Sequence, residues 1–178
     1  MIDGDERAIL GPDRVVHIGT FSKTLCPSIR IGYLVLPPEL IYRGRALKWR
    51  SDLHNETASQ LALAEFIENG HYQRHLSRMK KHYRQRREAT VAALEEAFNH
   101  RVRIMGSATG LHLTAQFRDV CFSTALLKRI EDAGAKFYPV SLHEIVSGQH
   151  RDKLIVGYGN LGTEAIGKGI AILKQILG

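Results

Sequence analysis

Apolar positions along the 178 residues change their period several times, and each change predicts an element. Two short β-branched runs come first: Arg14-Val15-Val16-His17-Ile18, following Gly11-Pro12-Asp13, and residues 31–36, closed by Pro37-Pro38. Both are expected as buried strands. From Pro38 the pattern turns helical, with Leu40, Ile41 and Leu47 spaced for one face and proline suited to the first turn. A second helix is expected to start at Thr57-Ala58-Ser59-Gln60, read as a capping box, and to stop at Asn69-Gly70. Its residues 61–67 are apolar enough to predict considerable burial. Tyr72, Leu76, Met79, Tyr83, Thr90, Leu94 and Phe98 then recur at helical spacings, with no Gly or Pro before Gly106. This predicts one helix from about His71 to Phe98, about 40 Å long and able to join two domains.

Beyond it the periods shorten. Residues 111–117 alternate as a strand, 123–133 form an amphipathic helix, and 136–140 and 154–158 are strands. Residues 163–177 make a closing helix with Ile166, Ile170 and Leu173 on one face. The class is therefore α/β, without internal repeats or low-complexity segments. A hydrophobic content of 44% allows a core for one or two small domains. No apolar stretch approaches the roughly 20 residues of a membrane span. The acidic, polar start of the chain, Met1-Ile2-Asp3-Gly4-Asp5-Glu6-Arg7, is unlike a secretory signal, so a cytoplasmic protein is expected. Cys26 and Cys121 are too far apart for a Cys-x-x-Cys pair and too few for a disulfide scaffold, and both are expected reduced and without a chemical role.

The formal charge of +7 suits phosphate-bearing partners, nucleic acid included, without choosing among them. Seven of the Lys and Arg residues fall between Arg74 and Arg87, which reads first as a solvated helix face. Several motifs fail on inspection. A phosphate loop needs glycine where Ser22 and His17 stand, and after His143-Glu144 the second histidine of a zinc hydrolase motif is replaced by Ser147. His71 and His75 lack a third ligand nearby and read as ordinary surface or boundary histidines, so no metal is expected. Gly106-Ser107-Ala108-Thr109-Gly110 has its serine in the wrong place for a nucleophile elbow and reads as a turn.

Residues 20–30 differ, because Thr20, Ser22, Lys23 and Arg30 converge between two strands. A carbonyl cofactor bearing a phosphate needs such a set: an amine to form the imine, with hydroxyls and a guanidinium for the phosphate oxygens. Spacing alone leaves a solvated basic loop as the alternative.

These residues resemble a known signature. Thr20-x-Ser22-Lys23, Pro27 and Arg30-Ile31-Gly32-Tyr33 are similar to the lysine motif of class I and II aminotransferases, the fold type I pyridoxal-phosphate enzymes. Residues 18–25, 30–37 and 62–72, the basic helix and Gly110-Leu111-His112-Leu113 look especially like MocR-type regulators of the GntR superfamily, which fuse a winged-helix DNA-binding domain to an aminotransferase-like effector domain. The resemblance runs from about Arg14 to the end of the chain. It implies that Lys23 holds pyridoxal 5′-phosphate as a Schiff base, as the catalytic or anchoring lysine, with Thr20, Ser22 and Arg30 binding the phosphate. It also implies the end of the large domain over residues 1–74, and the long linking helix with the small C-terminal domain over 75–178. A homodimer, an amine or amino-acid ligand, and DNA contact only through an N-terminal domain absent from this chain are further implications, with no membrane partner.

Departures accompany the resemblance. The phosphate-cradling helix start, the aromatic residue over the ring and the aspartate for the pyridinium nitrogen are not recognisable, and Asp3 and Asp5 do not form that aspartate motif. Where many aminotransferases place an arginine for the substrate carboxylate, Ile155 stands, with Arg151 and Lys153 as weak substitutes. The leading reading is thus part of a cofactor-binding regulatory domain, and the alternative part of an active aminotransferase moving an amino group between an amino acid and a 2-oxo acid. A third is a truncated chain that binds cofactor weakly and has no activity alone.

Overall fold

The computed structural model describes residues 14–108 and 110–178, so the Gly11-Pro12-Asp13 turn, the acidic start of the chain with Asp3 and Asp5, and Thr109 lie outside the described residues. The chain divides into two compact units, Met1–Met79 and Lys80–Gly178.

In the first unit the two β-branched runs find each other. Strands β1 (His17–Thr20) and β2 (Gly32–Val35) pair antiparallel, with His17 opposite Val35 and Thr20 opposite Gly32. They are not the buried strands their composition predicts, since Ile18 is 71% and Leu34 58% exposed. Runs apolar on both faces suit strands covered on both sides. Among the described residues, β1 and β2 have only one another as sheet partners.

Helix α1 (Pro38–Asp52) starts on proline, whose missing N–H is not needed in a first turn. Its predicted apolar face, Leu40, Ile41 and Leu47, is exposed. Helix α2 (Thr57–Glu68) is capped differently from the expected Thr-x-x-Gln box. Glu56 is the N-cap, and its carboxylate accepts the Ser59 N–H at 2.9 and 3.1 Å, while Thr57 donates its hydroxyl to the Asn55 carbonyl. A carboxylate there also meets the positive end of the helix dipole. The stop is as predicted, at Asn69 with Gly70 in the left-handed region (φ 70°). The expected burial of 61–67 is limited to Leu63. Pro37 and Leu63 alone are buried among the described residues of this unit.

Helix α3 (His71–Phe98) has both predicted ends. It belongs to the first unit through Met79 and to the second from Lys80 onward. Asn99 (φ 47°) breaks it, and a short 3-10 turn leads into β3 (Val102–Met105), a strand the apolar periodicity does not predict because only four residues carry it. Then follow β4 (His112–Phe117), α4 (Thr124–Asp132), β5 (Tyr138–Pro139), β6 (Lys153–Gly157) and α5 (Thr163–Leu177).

The sheet order is β3-β4-β6-β5, antiparallel throughout. Period-two alternation buries Leu113, Ala115 and Phe117 of β4, with Leu154 and Val156 of β6. The predicted face of α5, Ile166, Ile170 and Leu173, is buried in the same cluster. Phe117 meets Phe98 and Phe122 edge-on at 5.0 and 5.4 Å between ring centroids, the arrangement aromatic quadrupoles favour. Ser123 caps α4 by accepting the Leu126 N–H. Strand β5 is shorter than predicted, since Pro139 has no N–H for the ladder and the chain passes into a 3-10 turn, Val140–His143.

Glu144 organises the next loop. Its carboxylate accepts the N–H groups of Gly148 (2.6 Å), Gln149 (3.1 Å) and His150 (3.1 Å). These bonds, the one from Gly148 most of all, hold its pKa below the ordinary glutamate value. A folded pKa below the unfolded one means stabilisation that is complete above the ordinary range and lost as pH falls through the folded value.

Two outcomes are expected. Phe117→Ala should destabilise the second unit by about 3–5 kcal/mol, read from the urea midpoint; an unchanged midpoint would contradict this account of the core. Amide exchange at Gly148, Gln149 and His150, corrected for intrinsic rate, should accelerate on acidification below the ordinary carboxylate range. Glu144→Ala should show the same acceleration at neutral pH.

Candidate functional site

The loop between β1 and β2 is closed by its own backbone. The Phe21 N–H donates to the Ile31 carbonyl at 3.0 Å, and the Leu25 N–H donates to the Phe21 carbonyl at 2.8 Å, making a turn that contains Lys23. Thr20, the last residue of β1, donates its hydroxyl to the Ile31 carbonyl (3.3 Å) and accepts the Ser22 N–H (3.1 Å). After a 3-10 turn at Pro27–Ile29, Arg30 adopts the left-handed conformation (φ 51°, ψ 32°) that returns the chain to β2. For a residue other than glycine this costs about 1–2 kcal/mol. Ser22 and Arg30 therefore stand immediately inside the closing pair Phe21 and Ile31, with Lys23 one residue further in.

The four predicted site residues thus share one closed loop. The Thr20 hydroxyl is engaged inside the loop. Ser22 is half-buried, and Lys23 and Arg30 are exposed. Among the described residues, nothing forms a hydrogen bond or ion pair with the Ser22 hydroxyl, the Lys23 amine or the Arg30 guanidinium. What the loop offers is an amine, a hydroxyl and a guanidinium without partners, a donor set that fits a phosphorylated carbonyl compound.

Aromatic rings back the loop. The Tyr33 ring lies directly over Gly19, where an added Cβ would come within 2.2 Å of it. His17 stacks on Tyr33 at 6.1 Å, and Phe21 lies 5.7 Å from Tyr33 and 5.6 Å from Tyr72. Two contacts come from α3: the Tyr72 hydroxyl donates to Thr24 Oγ1 at 2.9 Å, and His75 Nε2 is 3.1 Å from the Thr24 carbonyl oxygen. In the sequence His75 reads as a surface or boundary histidine and Tyr72 as a helix-face residue. Their three-residue spacing shows a shared face, but nothing local points back to Thr24.

In the second unit, Ile155 lies in β6 between Thr114 and Tyr138 and is half-buried. Of the two basic residues near it in sequence, Arg151 is exposed and Lys153 Nζ is 3.0 Å from His150 Nδ1. Among the described residues, no three His, Cys, Asp or Glu side chains gather as a metal site would require, and no helix is long and apolar enough to cross a membrane.

The family model for Aminotransferase class I and II matches residues 4–135, well over half of the chain. The chain belongs to this family. Among curated proteins this aminotransferase-family chain is similar to the HTH-type transcriptional regulator YdeL of Bacillus subtilis, at 36% identity over 91% of its own length and 35% of the relative's. It is also 30% identical to the probable rhizopine catabolism regulatory protein MocR of Rhizobium meliloti, over 91% of this chain and 33% of that protein. The chain spans about a third of the length of these relatives. Among solved structures, the kynurenine aminotransferase of Pyrococcus horikoshii, in complex with PMP, is 26% identical with a TM-score of 0.80, over 94% of this chain and 41% of that one. LysN, the alpha-aminoadipate aminotransferase of Thermus thermophilus complexed with N-(5′-phosphopyridoxyl)-L-leucine, superposes with a TM-score of 0.83 at 24% identity, over 97% of this chain and 44% of that one. The α/β architecture is that of part of a fold type I aminotransferase.

Gly19→Ala tests the backing of the loop. Displacing the Tyr33 ring should weaken the β1–β2 ladder by about 1–3 kcal/mol, the usual range for overpacking. The measurement is amide exchange across both strands, and unchanged exchange would show that the ring yields freely.

Proposed function

We propose that this chain is the C-terminal part of a pyridoxal-phosphate-binding, aminotransferase-like effector domain of a transcriptional regulator. The observation that carries the proposal is the closed β1–β2 loop, where Ser22, Lys23 and Arg30 present polar groups without partners among the described residues. The regulator relatives support the setting. In this reading residues 1–74 are the end of the large domain, and 75–178 the linking helix and small domain. The parent protein acts as a cytoplasmic homodimer and contacts DNA through a domain outside this chain.

Pyridoxal phosphate supplies, when bound, an aldehyde and an electron-withdrawing ring. Lys23 Nζ would be the amine that holds the group at its aldehyde carbon, and could give up or take a proton there. The Ser22 hydroxyl and Arg30 guanidinium would hold the phosphate by charge-assisted hydrogen bonds. Thr20, whose hydroxyl accepts the Ser22 N–H, would join them at the phosphate. An amine or amino-acid ligand that displaces Lys23 would shift a two-state equilibrium by its differential affinity for the two states.

A second reading, an active aminotransferase, is favoured by the fold, which the solved aminotransferases share. Ile155 weighs against it, because an apolar half-buried side chain cannot bind a substrate carboxylate. Production of a 2-oxo acid from an amino acid over repeated turnovers would decide for the enzyme.

Reduction with borohydride after incubation with pyridoxal phosphate, followed by peptide mapping, tests the site. The label is expected at Lys23 and should be lost in Lys23→Ala. Arg30→Gly keeps the left-handed turn, which glycine adopts without cost, but removes the guanidinium; labelling should fall roughly tenfold, the effect of one charged hydrogen bond. Stoichiometric label at another lysine would overturn the assignment.

A further inference from the structure

We propose that Tyr72 and His75, in the first two turns of α3, are positioning residues for Lys23 that act through Thr24. This inference rests on the reading of Lys23 as the cofactor lysine. The Tyr72 hydroxyl bonds the side chain of Thr24 at 2.9 Å, and His75 Nε2 bonds its backbone carbonyl at 3.1 Å. A carbonyl oxygen only accepts, so His75 carries a proton on Nε2, whether as the neutral tautomer or as imidazolium. One residue is thus held by both its side chain and its backbone, and that residue is peptide-bonded to Lys23.

Among the described residues, the rest of the loop's hydrogen bonding is internal. The N–H groups of Phe21, Leu25 and Ile29 donate to carbonyls of Ile31, Phe21 and Cys26, which shape the loop without fixing it to anything outside the hairpin. The bonds to Thr24 reach across 48 and 51 residues. The edge-on contact of Phe21 with Tyr72 adds an apolar point to the same seat. Lys23 has no side-chain partner among the described residues, so where its flexible stem can deliver the amine depends on where its backbone is anchored. Errors of about 1 Å in such placement can slow a reaction roughly a hundredfold. Neither Tyr72 nor His75 needs to touch the cofactor for this role.

The test compares the full 178-residue chain with three variants. Tyr72→Phe removes the hydroxyl and keeps the ring, His75→Ala removes the donor, and His75→Gln keeps an N–H that can reach a carbonyl. The first readout is the rate of borohydride-trapped labelling at Lys23 with pyridoxal phosphate. The second is amide exchange over residues 22–26 in the cofactor-free chain, with the thermal midpoint as control. Tyr72→Phe and His75→Ala should each slow labelling roughly three- to tenfold, the usual effect of one lost hydrogen bond, and speed exchange over 22–26. The thermal midpoint should stay unchanged, and His75→Gln should restore both readouts. Unchanged labelling and exchange would overturn the proposal, as would a loss that merely follows a falling midpoint or a His75→Gln variant no better than His75→Ala. If the unmodified chain takes no label at Lys23, the cofactor reading falls, and the exchange data still decide the positioning role.

Discussion

A lysine in a solvated loop is chemically ordinary, and what sets Lys23 apart is the pinching of the chain on either side of it. The hydrogen bond from the Phe21 N–H to the Ile31 carbonyl, continued as the β1–β2 ladder, brings Ser22 and Arg30 to the two sides of one loop mouth. Remove that closure and the same residues become separate exposed polar groups. The left-handed Arg30 shows that the chain bears a conformational cost to return at this point. Proline at the start of the preceding 3-10 turn and the internal bonds of Thr20 make the return tighter.

The two units are stabilised in different ways. The second has an alternating sheet, helices laid on it, and a chain of edge-to-face phenylalanines through Phe117. The first, which carries the loop, has almost no buried side chains among its described residues and exposes apolar groups on β1, β2 and α1. Its order comes from local devices instead: a proline at the head of α1, a glutamate cap on α2, and aromatic contacts around Gly19 and Phe21. The unit with the chemistry is therefore the one with the smaller hydrophobic reserve.

Much of this is readable from residue order, and what escapes has identifiable causes. Helix α3 is predicted to both ends because twenty-eight residues repeat one period without a breaker, whereas β3 offers only Val102 to Met105 and no alternation long enough to notice. The capping of α2 is misread because a Thr-x-x-Gln pattern and a preceding glutamate are equally plausible, and only the geometry selects Glu56. Burial of Ile18 and Leu34 is misjudged because composition reports the surroundings a strand suits rather than those present. The lysine loop is legible because its chemistry lies within eleven consecutive residues. Tyr72 and His75 escape because hydrogen bonds spanning some fifty residues leave no periodic trace.

Helix α3 has one further consequence. Within the second unit, Thr90, Leu94 and Phe98 are buried at successive steps of four residues, so the face that α3 turns into the core drifts by only about 40° at each step. The stretch from Thr90 to Phe98 is therefore keyed to the core it enters. One residue inserted or deleted between Thr90 and Phe98 would turn the flanking positions about 100° out of phase and bring polar neighbours such as Glu95 toward the core. In that stretch spacing constrains the sequence as firmly as residue type does.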